Sequence, residues 1–226
     1  APRAVIHVTP TGDDRTARGT EAQPYGTLTA AVRAAGEDGW VYLHAGTWRE
    51  SLRVTGALHL RGACAATAVI EAPTGAEGLG ATGTNARLDV SDVTVRGGIS
   101  GLHAAEGALV TATRVRVADT APHGVRAEGS GTRVALDEVV ITGVRGPMGS
   151  EPAGVEVTGA TLTMVRSVVA DASAMGVRAL AGSNVSLEEC DLARLTDYAL
   201  EARNATLRVV RSSIHDGREG ALQTAM

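Results

Sequence analysis

One short phrase recurs six times between Leu88 and the C-terminus, and this repeat constrains the fold more than any other feature of the chain. An apolar pair at i and i+2 is followed by two turn residues, then a second pair at i+5 and i+7, then a Gly- or Ala-led apolar strand. The first pairs are Leu88/Val90, Val110/Ala112, Val134/Leu136, Leu162/Met164, Val185/Leu187 and Leu207/Val209. The second pairs run from Val93/Val95 to Ser167/Val169, Cys190/Leu192 and Ser212/Ile214. The third strands are Gly101-Leu102-His103-Ala104 and its counterparts beginning at Gly124, Gly154, Gly176, Ala199 and Ala221. Successive first pairs stand 22, 24, 28, 23 and 22 residues apart.

Alternation with period two makes each segment a strand with one face inward. Three short strands per coil cannot bury their inner faces alone, so the coils must stack. The expected fold is all-β: a parallel solenoid of about seven coils with three sheets. Composition agrees. Aromatic residues make up 2% of the 226 and Phe is absent, so the core must be built from Val, Leu, Ala and a few Ile. Ser167, Cys190 and Ser212 in the final inner column suit a narrow interior. Cys64 and Cys190 lie about five layers apart, roughly 24 Å by strand spacing, so no bridge within one chain is expected.

The repeat resembles the right-handed parallel β-helix of the pectate-lyase-like superfamily. The opening segments TPTGDDRTARGTEAQPYGTLTAAVRAAG (Thr9 to Gly36) and VYLHAGTWRESLRVTGALHLRG (Val41 to Gly62) are similar to the start of secreted bacterial β-helix proteins, in which a helix covers the first coil. The residues agree with a helix over 27–35. Thr27 can cap, Leu28, Ala31, Val32 and Ala35 share a face, and Gly36 can end it. The whole chain, 1–226, is expected to form one domain, with a cap over 1–36 and coils over 37–226. Strands are expected at Val41 to Leu43, Leu52 to Val54, Leu58 to Leu60 and Val69 to Ala72, followed by a long turn from Pro73 to Ala86. The last coil, with Leu207, Val209, Ile214 and Leu222, leaves an uncapped edge. It is expected to pack against a neighbour or to continue into a longer chain.

Charge excludes some partners. All 21 basic residues are Arg, and 25 acidic ones leave a net charge of -4, which gives no footprint for nucleic acid. No apolar run approaches the roughly 18 residues of a membrane span. The resemblance implies an extracellular or cell-surface protein. Ala1 to Thr9 lacks a signal-peptide pattern, so export would mean that the signal has been removed.

In the family the substrate groove runs along the outer face of the sheet formed by the Gly-led strands. Carried to this chain, the outward column is Tyr42, Glu71, His103, Arg126, Glu156, Arg178, Glu201 and Gln223. The simple account of this column is a charge ladder, in which Arg126, Glu156, Arg178 and Glu201 alternate and each cross-strand pair contributes about 0.2–1 kcal/mol. The functional account makes it a ligand face, with His123 overhanging Arg126 and Tyr198 nearby. Glu156 and Glu201 stand two coils apart, yet Arg178 between them favours the charged form of both, the opposite of what a general acid needs. A polysaccharide lyase would need a base and a group to neutralise a uronate carboxylate; the Arg residues can bind a carboxylate bidentately. The clustered acids of calcium-dependent lyases are missing. DTAPHG, Asp119 to Gly124, holds the DPH triplet of alginate epimerases with two residues intruding, so that motif is not matched.

No cofactor or metal is expected. Asp119, Asp171 and Asp216 fall at one turn position, where they are expected to cap backbone amides, and His44, His59 and His215 have no ligand spacing. The excursion Val144 to Ala153 opens onto the strand carrying Glu156 and is expected to wall any groove. The leading expectation is a non-catalytic module displaying a binding or scaffolding surface for polysaccharide or a cell-envelope partner; the alternatives are a carbohydrate-active enzyme, of lyase type before hydrolase or epimerase, and a purely structural repeat of a large surface protein.

Overall fold

A computed structural model describes residues 4–146, 151–217 and 222–225. The chain winds through about eight turns, each contributing a strand to three parallel sheets. The first sheet starts at Val5–Val8 and continues through Gly39–Leu43, Ala57–Gly62 and Arg87–Ser91 to Thr206–Val210. The second runs from Gly46–Trp48 to Ser213–His215, and the third from Leu52–Val54 to Leu222–Ala225. The repeat sets the register: Leu58, Leu88, Val110, Val134, Leu162, Val185 and Leu207 pair rung upon rung. Each is buried except Leu207 on the last coil, where Val209 is 37% exposed.

The expected helix is present as Leu28–Ala35. Thr27 Oγ1 accepts from the Ala30 N–H, and Gly36, at φ 68°, donates its N–H to the Val32 carbonyl. Leu28, Ala30 and Ala31 are buried, with Val32 and Ala35 packed against the core from its edge. Leu28 and Thr29 N–H groups donate to the Glu50 carboxylate at 2.9 and 3.1 Å, which holds the helix start to the first coil.

The polar inner residues have a definite task. At the corner between the first and second sheets the ladder is interrupted, and Ser167 Oγ accepts from the Val139 N–H at 2.9 Å while donating to the Val165 carbonyl at 2.7 Å. Ser212 does the same for Cys190 N–H and the Val210 carbonyl. Burial pushes the Cys190 thiol up. Cys64 is exposed, and both cysteines are free.

Glycines open the third-sheet strands for steric reasons. A Cβ on Gly78, Gly101, Gly124 or Gly154 would lie 2.3 to 2.5 Å from Val95, Val117, Ile141 or Val169 of the following coil. Gly154→Ala is therefore expected to destabilise by about 1–3 kcal/mol through overpacking, as measured by urea unfolding; an unchanged midpoint would contradict this packing.

Two expectations about the first coils are corrected. Pro73 to Ala86 is not one long turn, because Glu77–Thr82 is a third-sheet strand. Its Gly78-Leu79-Gly80-Ala81 matches the Gly-Leu-x-Ala of Gly101 to Ala104, a signal that the slack spacing of the early coils hides. Val69–Ala72 consequently belongs to the second sheet, with Glu71 opposite Arg96.

Candidate functional site

Register places Arg53, Gly80, His103, Arg126, Glu156, Arg178 and Glu201 in one column on the outer face of the third sheet, and Gln223 pairs with Glu201 at the next register position. Tyr42 and Glu71 are not in it. Tyr42 lies on the first sheet opposite His7 and Arg61, with its ring edge-on to His44. Glu71 lies on the second sheet, where Arg49 and Arg96 bond its carboxylate at 3.1 and 3.3 Å; the Arg49 bond first of all holds its pKa below the ordinary value. Both lie off the column because their strands, Gly39–Leu43 and Ala68–Ala72, belong to the first and second sheets.

The remaining residues form a continuous polar network. His103 is buried between Glu77, whose Oε1 is 2.6 Å from Nδ1, and Glu128, whose Oε1 is 3.0 Å from Nε2. Arg53 bonds Glu77 at 2.8 Å, and Arg126 forms an ion pair with Glu128 at 2.9 Å. Arg126 also lies 3.6 Å from Glu156 Oε1, and His123 Nε2 lies 3.7 Å from the same oxygen. Arg178 joins three carboxylates: Glu201 at 2.6 Å, Glu156 at 3.3 Å, and Glu151. Arg203 pairs with the other oxygen of Glu201.

Glu77, Glu128 and Arg203 are missing from the sequence-based column, although period two points to the last two. Each stands two residues after a column member, on the same outward face. Glu151 comes from the long excursion, so this loop does border the face; residues 147–150 lie outside the described residues. Tyr198 sits in the turn before Leu200–Arg203, half-buried, with its carbonyl accepting from the Gly176 N–H at 3.0 Å.

Burial separates this column from an ordinary ladder, as a second column makes plain. Asp92, Arg114, Glu138, Arg166, Glu189 and Arg211 repeat at the coil spacing along the corner between the first and second sheets, each with φ near +50°. Arg114 bonds Asp92 twice, at 2.7 and 2.8 Å, and Arg211 bonds Glu189 at 3.2 Å. These arginine side chains are about half exposed or more, and such solvent-facing pairs add little to stability. In the third-sheet column Arg178 is 6% exposed, Glu156 9% and Glu201 0%. Burial works to lower the Arg178 pKa, yet its bonds to Glu151 and Glu201 outweigh this and raise it.

His123 is the exception within the network. Burial first of all holds its imidazole below the ordinary value, and Arg126 and Arg178 press the same way against the pull of Glu156. Among the described residues its Nδ1 is buried without a hydrogen-bond partner, and so is the Nε of Arg126. This imidazole stands beside a carboxylate and a guanidinium whose side chain is 40% exposed. His215, by contrast, is raised by its bond to Asp216 and by Asp191. A proton NMR titration should therefore give His123 the lower midpoint of the two; the reverse order would contradict the geometry. In linkage terms, the unfolded chain takes up a proton at this site first as pH falls below about 6.5. His123 accordingly weakens the fold on acidification.

Other singled-out residues do different work. Among the described residues Asp119, Asp171 and Asp216 do not cap amides through their side chains. All three have φ near +55°, Asp171 pairs with Arg194 at 2.5 and 2.8 Å, and Asp216 pairs with His215 at 2.8 Å. His59 is held between Asp38 and Asp89 and stacks on Trp40, with ring centroids 4.3 Å apart. Among the described residues no cluster of three or more His, Cys, Asp and Glu could hold a metal, and no helix is long and apolar enough to cross a membrane.

No protein-family model and no curated protein matches this sequence. Solved structures do match in shape. The catalytic domain of a GH87 α-1,3-glucanase in complex with tetrasaccharides superposes with a TM-score of 0.64 at 11% identity, over 95% of this chain. An alginate lyase from a Paenibacillus species gives 0.50 at 12% identity over 98% of both chains. A GH136 lacto-N-biosidase from Eubacterium ramulus gives 0.50 at 11% identity over 96% of this chain. The chain spans only 46% of the glucanase domain and 56% of the lacto-N-biosidase. The fold is the right-handed parallel β-helix that the repeat resembles.

Proposed function

We propose that the protein is an extracellular carbohydrate-active enzyme acting on uronate-containing polysaccharide at the third-sheet face. One observation carries this reading: His123 Nε2 lies 3.7 Å from Glu156 on the face that also holds the half-exposed Arg126, and burial lowers the imidazole's pKa. Abstraction of the acidic proton next to a sugar carboxylate needs both a neutral base and a cation to take up the charge that develops on that carboxylate. His123 would accept the proton from C5, Arg126 would hold the carboxylate, and the electron pair would form the C4–C5 double bond as the C4–O glycosidic bond breaks. The departing oxygen would take a proton from water. The folds similar to this one belong to a glucanase, a lacto-N-biosidase and an alginate lyase; that likeness concerns architecture, and the chemistry is argued from the side chains.

A second reading has its own support. Arg178 neutralises Glu156, Glu151 and Glu201 at once, as a face that binds without reacting would allow. Incubation with a panel of uronate polymers and neutral glucans separates the two. Unsaturated-product absorbance with uronate polymers alone is the expected result. Binding to the same polymers without new absorbance or new reducing ends would replace the enzyme by a display surface.

A further inference from the structure

A broad depression lies away from this face. It lies on the outer side of the second sheet, has a volume of about 580 Å³, and is floored by Val69, Thr94 and Val140. Volumes of about 300–1,000 Å³ are typical of small-molecule sites. Thr94, Arg116 and Val140 follow one another in register, so Arg116 rises between two lining residues. Arg96 and Arg114 line the same depression. They are already paired, with Glu71 at 3.3 Å and with Asp92 at 2.7 Å. The Glu138 carboxylate on the rim lies 3.7 Å from Arg166. Among the described residues the side chains of Arg116 and Asp119 have no hydrogen-bond or ion-pair partner. The Asp and His of DTAPHG thus part company, Asp119 lining this depression and His123 the third-sheet face.

We infer that this depression is a second saccharide site, one that takes a carboxylate-bearing sugar unit. Charge complementarity favours that occupant. Three guanidinium groups line the depression and Arg116 alone among them is uncommitted, with a planar fork that matches a carboxylate bidentately. Val69, Val140 and the Thr94 methyl offer the apolar surface on which the C–H face of a sugar ring can lie. Asp119 supplies an acceptor for a ring hydroxyl. The site stands independently of the enzymatic reading, because it shares no residue with the third-sheet network.

The test uses the intact protein, a uronate oligosaccharide, a neutral gluco-oligosaccharide of equal length, and acetate. Amide resonances of Thr94, Arg116 and Val140 should shift with the uronate probe and stay put with the other two. Arg116→Ala should weaken this response roughly tenfold to hundredfold, while Arg126→Ala leaves it unchanged. Arg116 is exposed, so an unaltered amide spectrum elsewhere verifies the fold of the variant. Equal response to the neutral oligosaccharide or to acetate would overturn the proposal, as would undiminished binding by Arg116→Ala. Shifts confined to the third-sheet strands would also overturn it, while leaving the enzymatic reading in place.

Discussion

Arg178→Ala is expected to destabilise the protein by about 3–5 kcal/mol, because removing one member of a buried ion group strands the charges of the others. Glu201 has no exposed surface and Glu156 very little; with the guanidinium gone, Arg203 would be left facing one oxygen of Glu201 and Arg126 would stand at 3.6 Å from Glu156. The triple variant Glu156→Leu, Arg178→Leu, Glu201→Leu should lose far less than the single one, since apolar replacement of a whole buried ion group is often neutral or better. Denaturant unfolding of both variants decides the matter. A single variant within about 1 kcal/mol of the parent, the range of a surface pair, would mean that the column is an ordinary solvated ladder.

The second large effect concerns reaction rather than stability. His123→Ala should lower kcat on a uronate polymer by about 10²–10⁴-fold, the usual contribution of a positioned base. The change in KM should be small, because the carboxylate is held by Arg126. Arg126→Gln should act on both parameters, since a uronate carboxylate is present in the ground state and gains charge in the transition state. The acid limb of the kcat/KM profile should fall below the ordinary histidine range, since burial lowers His123 in the free enzyme. Full activity of His123→Ala would remove the imidazole from the chemistry.

Much of this was legible because a solenoid writes its contacts into its spacing. A pair such as Val134 and Leu162 meets across 28 residues only because each coil repeats the phrase. The third-sheet column from His103 to Glu201 follows from the same arithmetic. The arithmetic failed where the phrase was loose. Tyr42 and Glu71 come from the early coils, whose strands Val5–Val8, Gly46–Trp48 and Glu77–Thr82 lack the full apolar alternation. Burial was also beyond the pattern. Arg114 and Arg178 both sit in alternating charge columns at coil spacing, and only the packing around them makes one a solvent-facing ladder and the other a closed network. The return of Glu151 onto Arg178 depends on the path of an excursion that no repeat describes.

The most direct measurement is a crystal structure of the His123→Ala protein with a uronate oligosaccharide. The account predicts sugar units lying across the third-sheet strands, one carboxylate against the Arg126 guanidinium, and the neighbouring ring C–H facing the space that the imidazole filled. An oligosaccharide seated only on another face, with Arg126 and Glu156 untouched, would contradict it.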